Sequence, residues 1–513
     1  MPISTSAVWE LRSTATASMV NGGGFVTGAT GTDYSQQDAA QYNLTTASSA
    51  GAGDTLLSAS AAANMVGNIA QAISGTNITP GWYEILSVSV GVSITFSTNK
   101  AGTSIATGAA LNGVVNIGGA LDNLSDAFLE QVSGANKIWI KKGTYTPAAA
   151  ISIASTSGTY ILPISITGYN AARNDEPAYS NCPTMAMGAN GFTSGRYQHY
   201  RNIQFTTSHV TGITLGIYNR VENCKILGLG DAGIVLGETN CITGCDISSA
   251  SWAVTTANTS VIIGNYIHDT LIGIFSTNSP GIYANNIIAR CATKGIDCGI
   301  NSASSNLQTF NNTIYGSAAK IGIGISFISN SANQQIFNNT ISGCATGIQQ
   351  TTAATGSIRC FNNNFYNNTT DVTNQVKLYT NTALDPQFIG VSETTGTGAT
   401  SATTVLTDAS GVFTNVVDNR DILYVISATT TPVGYYPIIS HNATTLTVAK
   451  ALGTGSNISY FVGVGHNFGI GSNLKNIGLP LNFGEGLTTN YSDLGAVQAV
   501  GGSPAVPPLG VAY

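Results

Sequence analysis

The chain has 513 residues, of which 8% are charged and 43% hydrophobic, with 59 glycines and a formal net charge of −6. Disorder needs low hydrophobicity together with high net charge, so a folded chain is expected, and its 18 Lys plus Arg offer no basic stripe for a series of phosphates. Nucleic acid is therefore not expected as a partner, and the length favours several domains or an elongated repeat over one compact core.

Residues Met1 to Thr16 contain Glu10 and Arg12 and lack a basic leader followed by an apolar core, so no secretory signal is expected. No apolar run approaches the roughly eighteen residues of a membrane span. Synthesis in a cytosol without membrane insertion is therefore expected. In that compartment the eight cysteines read as buried thiols rather than a disulfide framework. The histidines, at 199, 209, 268, 441 and 466, show no metal-ligand spacing, and neither a metal nor another cofactor is expected.

In chain order, residues 1 to 50 have few apolar clusters and include Asn21-Gly22-Gly23-Gly24, which predicts an extended N-terminal arm packing on neighbours. Residues 51 to 115 alternate apolar with polar positions between Ser/Thr/Gly/Ala-rich stretches and predict a small β module. Within 116 to 392, Leu121, Leu124, Phe128, Leu129 and Val132 share one helical face, so a lid helix over 121 to 132 is expected to cover an open strand stack.

The strongest signal is a repeat running from about Arg201 to Asn368. Phe205, Ile226, Ile247, Ile267, Ile288, Ile314, Ile341 and Phe365 recur at intervals of 20 to 27 residues, each three places after an Asn or Gly. A second series, Ile213, Ile234, Val254, Ile274, Ile296, Ile325 and Ile348, keeps step with the first, and six of the seven follow a Gly directly. About 21 residues suit a coil of short strands joined by turns, stacked at roughly 4.8 Å. Two places before the first series stand Ile203, Cys224, Cys245, Asn265, Asn286, Asn312, Asn339 and Asn363. Stacked asparagine amides can satisfy turn backbone that is otherwise buried unpaired, and Cys224 and Cys245 read as small fillers of the same stack.

Repeats such as Phe310-Asn311-Asn312-Thr313-Ile314 and Phe337-Asn338-Asn339-Thr340-Ile341 resemble those of the pectate-lyase-like right-handed β-helix superfamily. Lys137 to Tyr145 is similar to the first strand of many members, and Leu384-Asp385-Pro386-Gln387-Phe388 to a frequent closing segment. The resemblance implies an all-β, right-handed parallel β-helix solenoid; it is specific for fold and silent on activity.

Residues 393 to 465 predict a second small β module, read as a repeat of the first. Gly81-Trp82-Tyr83-Glu84-Ile85-Leu86-Ser87 matches Gly434-Tyr435-Tyr436-Pro437-Ile438-Ile439-Ser440, and the spacing of Asn64, Val66 and Asn68 recurs at Asn415, Val417 and Asn419. Residues 466 to 513 are expected to close the chain, with Tyr491 to Gln498 resembling the superfamily's last strand and returning to the β-helix.

Many superfamily members cleave polysaccharides, and glycoside hydrolysis needs two carboxylates roughly 5 to 9.5 Å apart. Asp246 and the pair His268-Asp269 fall one coil apart beside the Ile stack, which makes Asp246, Asp269 and His268 the catalytic candidates. Lys225 and Tyr266 are the candidate glycan-binding residues, Tyr266 as a sugar platform. Solvated side chains on an exposed strand are the commoner explanation of such residues.

A charge-poor β-helix with an N-terminal arm and accessory β modules resembles tailed-phage virion proteins: tailspikes, fibres and head decorations. The expectation is a bacteriophage structural protein displayed on the particle exterior and binding host-surface polysaccharide. Its expected partners are other virion proteins, and its expected assembly is a homotrimer. The alternatives are a polysaccharide depolymerase, hydrolase or lyase, and a bacterial surface adhesin.

Overall fold

A computed structural model describes residues 2–464, apart from 16–18, 126–128, 130, 154–157, 178, 229, 257–258, 278–280, 300–306, 317–321, 328–333, 352–357, 374–375, 385–393, 412, 415, 417–420, 433 and 449–450. The expected closing segments 385–388 and 466–513 lie outside the described residues. The chain forms two compact units, one of Met1–Asn265 with Ile274–Gly281, the other of Tyr266–Gly273 with Ile282 onward.

In the first unit, short parallel strands stack into three sheets, three strands to a coil, the course of a parallel β-helix whose crossovers take the right-handed sense. One sheet runs through Lys137–Lys141, Ile164–Tyr169, Gln198–Arg201, Arg220–Glu222, Asn240–Thr243 and Ser260–Ile263. The second takes Thr184–Gly188, Gln204–Thr207, Lys225–Gly228 and Asp246–Ser249, and the third Phe192–Thr193, Ile213–Leu215, Ala232–Leu236 and Trp252–Thr256. The second unit has the same pattern in Tyr266–His268, Ile287–Ala289, Thr313–Tyr315, Thr340–Ser342 and Asn364–Tyr366.

The apolar series read from the sequence is the inward row. Phe205 faces Ile226, which faces Ile247; Ile267, Ile288, Ile314, Ile341 and Phe365 face one another in turn. The second series pairs likewise, with Ile213, Ile234 and Val254 in one unit and Ile296, Ile325 and Ile348 in the other. All are buried.

The corners explain the Asn and Gly that precede the inward row. Asn202, Asn223, Asn285, Asn311, Asn338 and Asn362 have φ between 50° and 56°, and Gly244 and Gly264 take 62° and 68° at the same place. This left-handed region costs a Cβ-bearing residue free energy, and Asn and Gly bear it most readily. The next residue forms the ladder. Asn286 Nδ2 donates to Asn312 Oδ1 at 3.0 Å, Asn312 to Asn339 at 3.0 Å, Asn339 to Asn363 at 2.9 Å and Asn363 to Asn381 at 3.2 Å. In the first unit the Cys245 amide donates to Asn265 Oδ1 at 2.9 Å, and Cys224 and Cys245 are buried thiols in the same stack. None of the eight cysteines forms a disulfide among the described residues.

Residues 1 to 50 depart from an extended arm. Ala7–Leu11 is a strand in register with Lys137–Lys141, because its apolar Trp9 and Leu11 continue the solenoid core. Glu10, wholly buried there, accepts from the Tyr169 hydroxyl and pairs with Arg173 at 2.7 Å, so its charge is compensated. The expected lid helix falls partly on residues outside the description, Phe128 among them. Of the rest, Leu121 bridges to Leu11, the Leu129 amide donates to the Ser125 carbonyl, and Leu121, Leu124, Leu129 and Val132 are buried.

Each unit also carries an antiparallel six-stranded module with its own core. The first orders its strands Tyr42–Ala47, Ala106–Ile117, Ile69–Ile78, Gly81–Ser89, Ser93–Phe96, Thr55–Leu57. The second orders them Thr394–Ala402, Gly455–Val464, Asp421–Ser427, Gly434–His441, Thr445–Val448, Val405–Thr407 and closes into a barrel. The order is the same strand for strand. Register agrees as well: Ile69, Ala70, Gln71 and Ala72 face Glu84, Tyr83, Trp82 and Gly81, as Ile422, Leu423, Tyr424 and Val425 face Pro437, Tyr436, Tyr435 and Gly434. Both next ladders slip at one place, between Ile85 and Ser87 and between Ile438 and Ser440. Asn415, Val417 and Asn419, the remainder of the sequence match, lie outside the described residues.

Candidate functional site

Lys225 and Asp246 stand opposite each other on neighbouring strands of the first unit. Period-two alternation aims both away from the Ile226–Ile247 core row, and Lys225 Nζ lies 3.4 Å from Asp246 Oδ2. Lys225 is partly exposed while the Asp246 side chain is buried. The pair is a cation over a carboxylate, with the carboxylate on the protein side.

Tyr266, His268 and Asp269 belong to the second unit and form one cluster with Arg290. Strand Tyr266–His268 places the rings of Tyr266 and His268 on the same side, stacked with centroids 4.2 Å apart and planes 21° from parallel. Asp269 follows at a left-handed corner with φ 58°, and Arg290 occupies the same corner one coil on with φ 54°. Their side chains close on each other: Arg290 Nε donates to Asp269 Oδ1 at 2.6 Å and its terminal nitrogen to Oδ2 at 2.9 Å. That terminal nitrogen also reaches the Tyr266 hydroxyl at 3.1 Å, and His268 Nδ1 lies 2.5 Å from Asp269 Oδ2.

Burial pushes the Asp269 carboxyl up, but the charges of Arg290 and His268 and their hydrogen bonds outweigh it and hold it below the ordinary aspartate range. Arg290, against the same burial, is held charged by Asp269 and Tyr266. A general acid has to carry its proton near the working pH and reach the bond it cleaves. Asp269 is 1% exposed and its anion is fixed by a bidentate guanidinium. The geometry is that of a buried ion pair tying two consecutive left-handed corners together. Tyr266, 5% exposed and covered by His268, has no open face for a sugar ring.

The structure thus joins Lys225 to Asp246, and Tyr266 to His268 and Asp269. Arg290 was missed by the sequence reading, although its signal was present: it sits two places after Ile288 as Asp269 sits two places after Ile267, an opposite charge at the same repeat position. Among the described residues no group of three or more His, Cys, Asp or Glu is arranged to hold a metal ion. Burial pushes the Cys245 thiol well above its ordinary value, which leaves it an inert filler.

Residues 201–370 match the family model described as the right handed beta helix region. No curated protein sequence matches the chain. Among solved structures, the chain is similar to an alginate lyase from Paenibacillus sp. str. FPU-7, with 14% identity, 50% of this chain and 95% of that one covered, and a TM-score of 0.34. It is similar to the pectate lyase Pel9A, with 15% identity, 72% and 90% covered, and a TM-score of 0.37. It is similar to the tailspike protein gp49 of Acinetobacter baumannii bacteriophage Fri1, a capsular polysaccharide depolymerase, with 10% identity, 65% and 81% covered, and a TM-score of 0.33. These likenesses extend to fold alone.

Proposed function

We propose that this chain is a structural protein of a bacteriophage particle, displayed on the exterior as a rigid scaffold that meets host-surface polysaccharide. The observation that carries the reading is the amide ladder from Asn286 to Asn381, in which the Oδ1 of Asn312, Asn339, Asn363 and Asn381 each accepts both the backbone amide and the side-chain amide of the preceding Asn. Such satisfaction inside a stack of parallel strands leaves few local openings, the property a protein needs in dilute, protease-rich surroundings. The charge-poor composition supports it by giving proteases few Lys or Arg to cut at. Other particle proteins as partners, and a homotrimer as the assembly, belong to the same reading.

The test is mass spectrometry and immunogold labelling of purified particles: stoichiometric presence on the outside is expected, and absence from the particle ends the reading. A depolymerase is the second reading, with Asp246, the carboxylate beneath Lys225, as its candidate catalytic residue. Release of reducing ends from host polysaccharide by the full chain, abolished in Asp246→Asn with the unfolding midpoint unchanged, establishes it; binding without release removes it.

A further inference from the structure

The first unit carries an apolar tip on its surface. The amide of Thr159 donates to the Leu162 carbonyl at 3.0 Å and the amide of Leu162 returns the bond at 3.1 Å, which closes a two-residue turn with Tyr160 and Ile161 at its apex. Tyr160 is 68% exposed, Ile161 83% and Leu162 41%, and the exposed Pro163 follows. Single apolar side chains on a surface are ordinary, whereas four in succession are not. The tip is also held firmly. Gly158 donates to the Arg196 carbonyl at 3.0 Å, Ala135 to those of Leu162 and Pro163 at 3.2 Å, and Thr159 Oγ1 accepts a further bond from the Leu162 amide. A Cβ at Gly158 would stand 2.6 Å from the Tyr197 carbonyl oxygen, so glycine lets the base of the turn seat this closely.

The charge around the tip has one sign. The chain as a whole is acidic, with 24 Asp plus Glu against 18 Lys plus Arg, yet from Gln131 to Val221 the sequence has seven Lys and Arg and only two carboxylates, Asp175 and Glu176. Both carboxylates are engaged: Asp175 accepts the amides of Asn170, Ala171 and Ala172 within its own loop, and Glu176 pairs with Arg201. Two cations at the base of the tip are not. Arg196 holds the turn through its carbonyl, and Lys137 stands opposite Ser165 on the strand that leaves the turn. Both are exposed, and their side chains make no hydrogen bond or ion pair among the described residues.

We propose that this tip docks on the surface of an anionic lipid bilayer, with Tyr160, Ile161 and Leu162 at the boundary between headgroups and acyl chains and Arg196 and Lys137 among the lipid phosphates. An aromatic ring with a polar end suits that boundary, aliphatic side chains suit the layer below it, and unpaired cations suit negative headgroups. The headgroup layer is several ångströms deep, so the cations need only lie at the base of the tip. A groove on another protein accounts for the apolar residues but leaves the one-signed charge around them without a role. A second copy docked through the same tip fits less well still, since it brings its own cations against these. The contact is peripheral and needs no spanning segment. It stands apart from polysaccharide contact and from particle location.

The experiment floats the full-length chain with vesicles through a density gradient, comparing phosphatidylcholine alone with phosphatidylcholine carrying phosphatidylglycerol. Co-flotation with the anionic vesicles is expected, with weaker partition onto the neutral ones. Ile161→Asp is expected to lower partition by about tenfold or more, the worth of withdrawing one aliphatic side chain from an apolar layer, and Arg196→Gln by about fivefold. Ile439→Asp, which alters an exposed aliphatic residue of the second unit, is expected to partition as the parent does. Because the tip side chains are exposed, thermal midpoints are expected to stay unchanged. Tyr160→Trp gives a readout that needs no loss of binding: its emission, taken as the difference from the parent, is expected to move to shorter wavelength when anionic vesicles are added. No co-flotation, equal partition onto neutral vesicles, undiminished partition of Ile161→Asp or an unmoved emission of Tyr160→Trp overturns the proposal. A changed assembly state in Ile161→Asp without vesicle binding by the parent assigns the tip to a protein partner and overturns it as well.

Discussion

The amide oxygen of Asn339 accepts two hydrogen bonds from Asn312, one from its side-chain nitrogen at 3.0 Å and one from its backbone amide at 2.9 Å. Asn339 in turn donates to the carbonyls of Thr309 and Phe337, both at about this distance. Truncating it therefore leaves donors and acceptors of two coils buried without partners. Asn339→Ala is expected to destabilise the second unit by roughly 3 kcal/mol, read as a lowered midpoint of denaturant unfolding. An unchanged midpoint contradicts the ladder as a source of stability.

The corner positions make a different prediction. Asn311 has φ 52°, and its Oδ1 is buried without a hydrogen-bond partner among the described residues. Asn311→Gly is expected to be close to neutral, whereas Asn311→Val is expected to cost about 1–3 kcal/mol because a β-branched residue resists the left-handed region. Thermal midpoints of the two variants, compared with the parent, check the difference.

Asp269 predicts an acid dependence. Its carboxyl is lowered in the folded chain, so its contribution is fully present above the ordinary aspartate value of 3.8 and is lost as pH falls through the lower folded value. Asp269→Asn leaves Arg290 buried without its anion and is expected to cost about 3–5 kcal/mol at neutral pH. A series of unfolding midpoints from pH 7 downward is expected to show the gap between parent and variant closing in acid. A constant gap contradicts an ionised Asp269.

We propose that the two six-stranded modules are copies of one unit. Tyr83 and Tyr436 occupy the same register, are buried, and donate through their hydroxyls to the carbonyl four residues earlier, Thr79 at 3.0 Å and Pro432 at 2.7 Å. Near the end of the first strand of each module, Ser49 and Ser401 donate to the carbonyls of Gly108 and Gly453, each at 3.0 Å. Tyr83→Phe and Tyr436→Phe are each expected to cost about 1 kcal/mol, followed by amide exchange within the altered module. Strongly unequal losses count against equivalence.

Two of the three sheets were legible in the sequence because their inward rows are almost uniformly Ile. The third was not, since its inward row mixes Tyr200, Val221, Ile242 and Ile262 with Thr309, Ile336 and Cys360, a chemistry too varied to stand out as a period. Ala7–Leu11 was hidden by distance: its partner strand begins more than a hundred residues downstream, and only pairing with Lys137–Lys141 shows its apolar residues to be core. For Asp269, sequence placed the residue on the right coil but could not show that Arg290 closes over it.

The amide-to-amide bonds of the ladder from Asn286 to Asn381 have a direction, for Asn286, Asn312, Asn339 and Asn363 each donate to the Oδ1 of the C-terminal neighbour. Each rung brings the acceptor that its neighbour's donors fill, however many rungs lie between the ends of the row. Lengthening such a stack by a coil then adds a rung satisfied by the same pairing. Rod length in a chain of this kind is a property of its stoppers, so insertion or deletion of whole coils is the variation the architecture tolerates most easily.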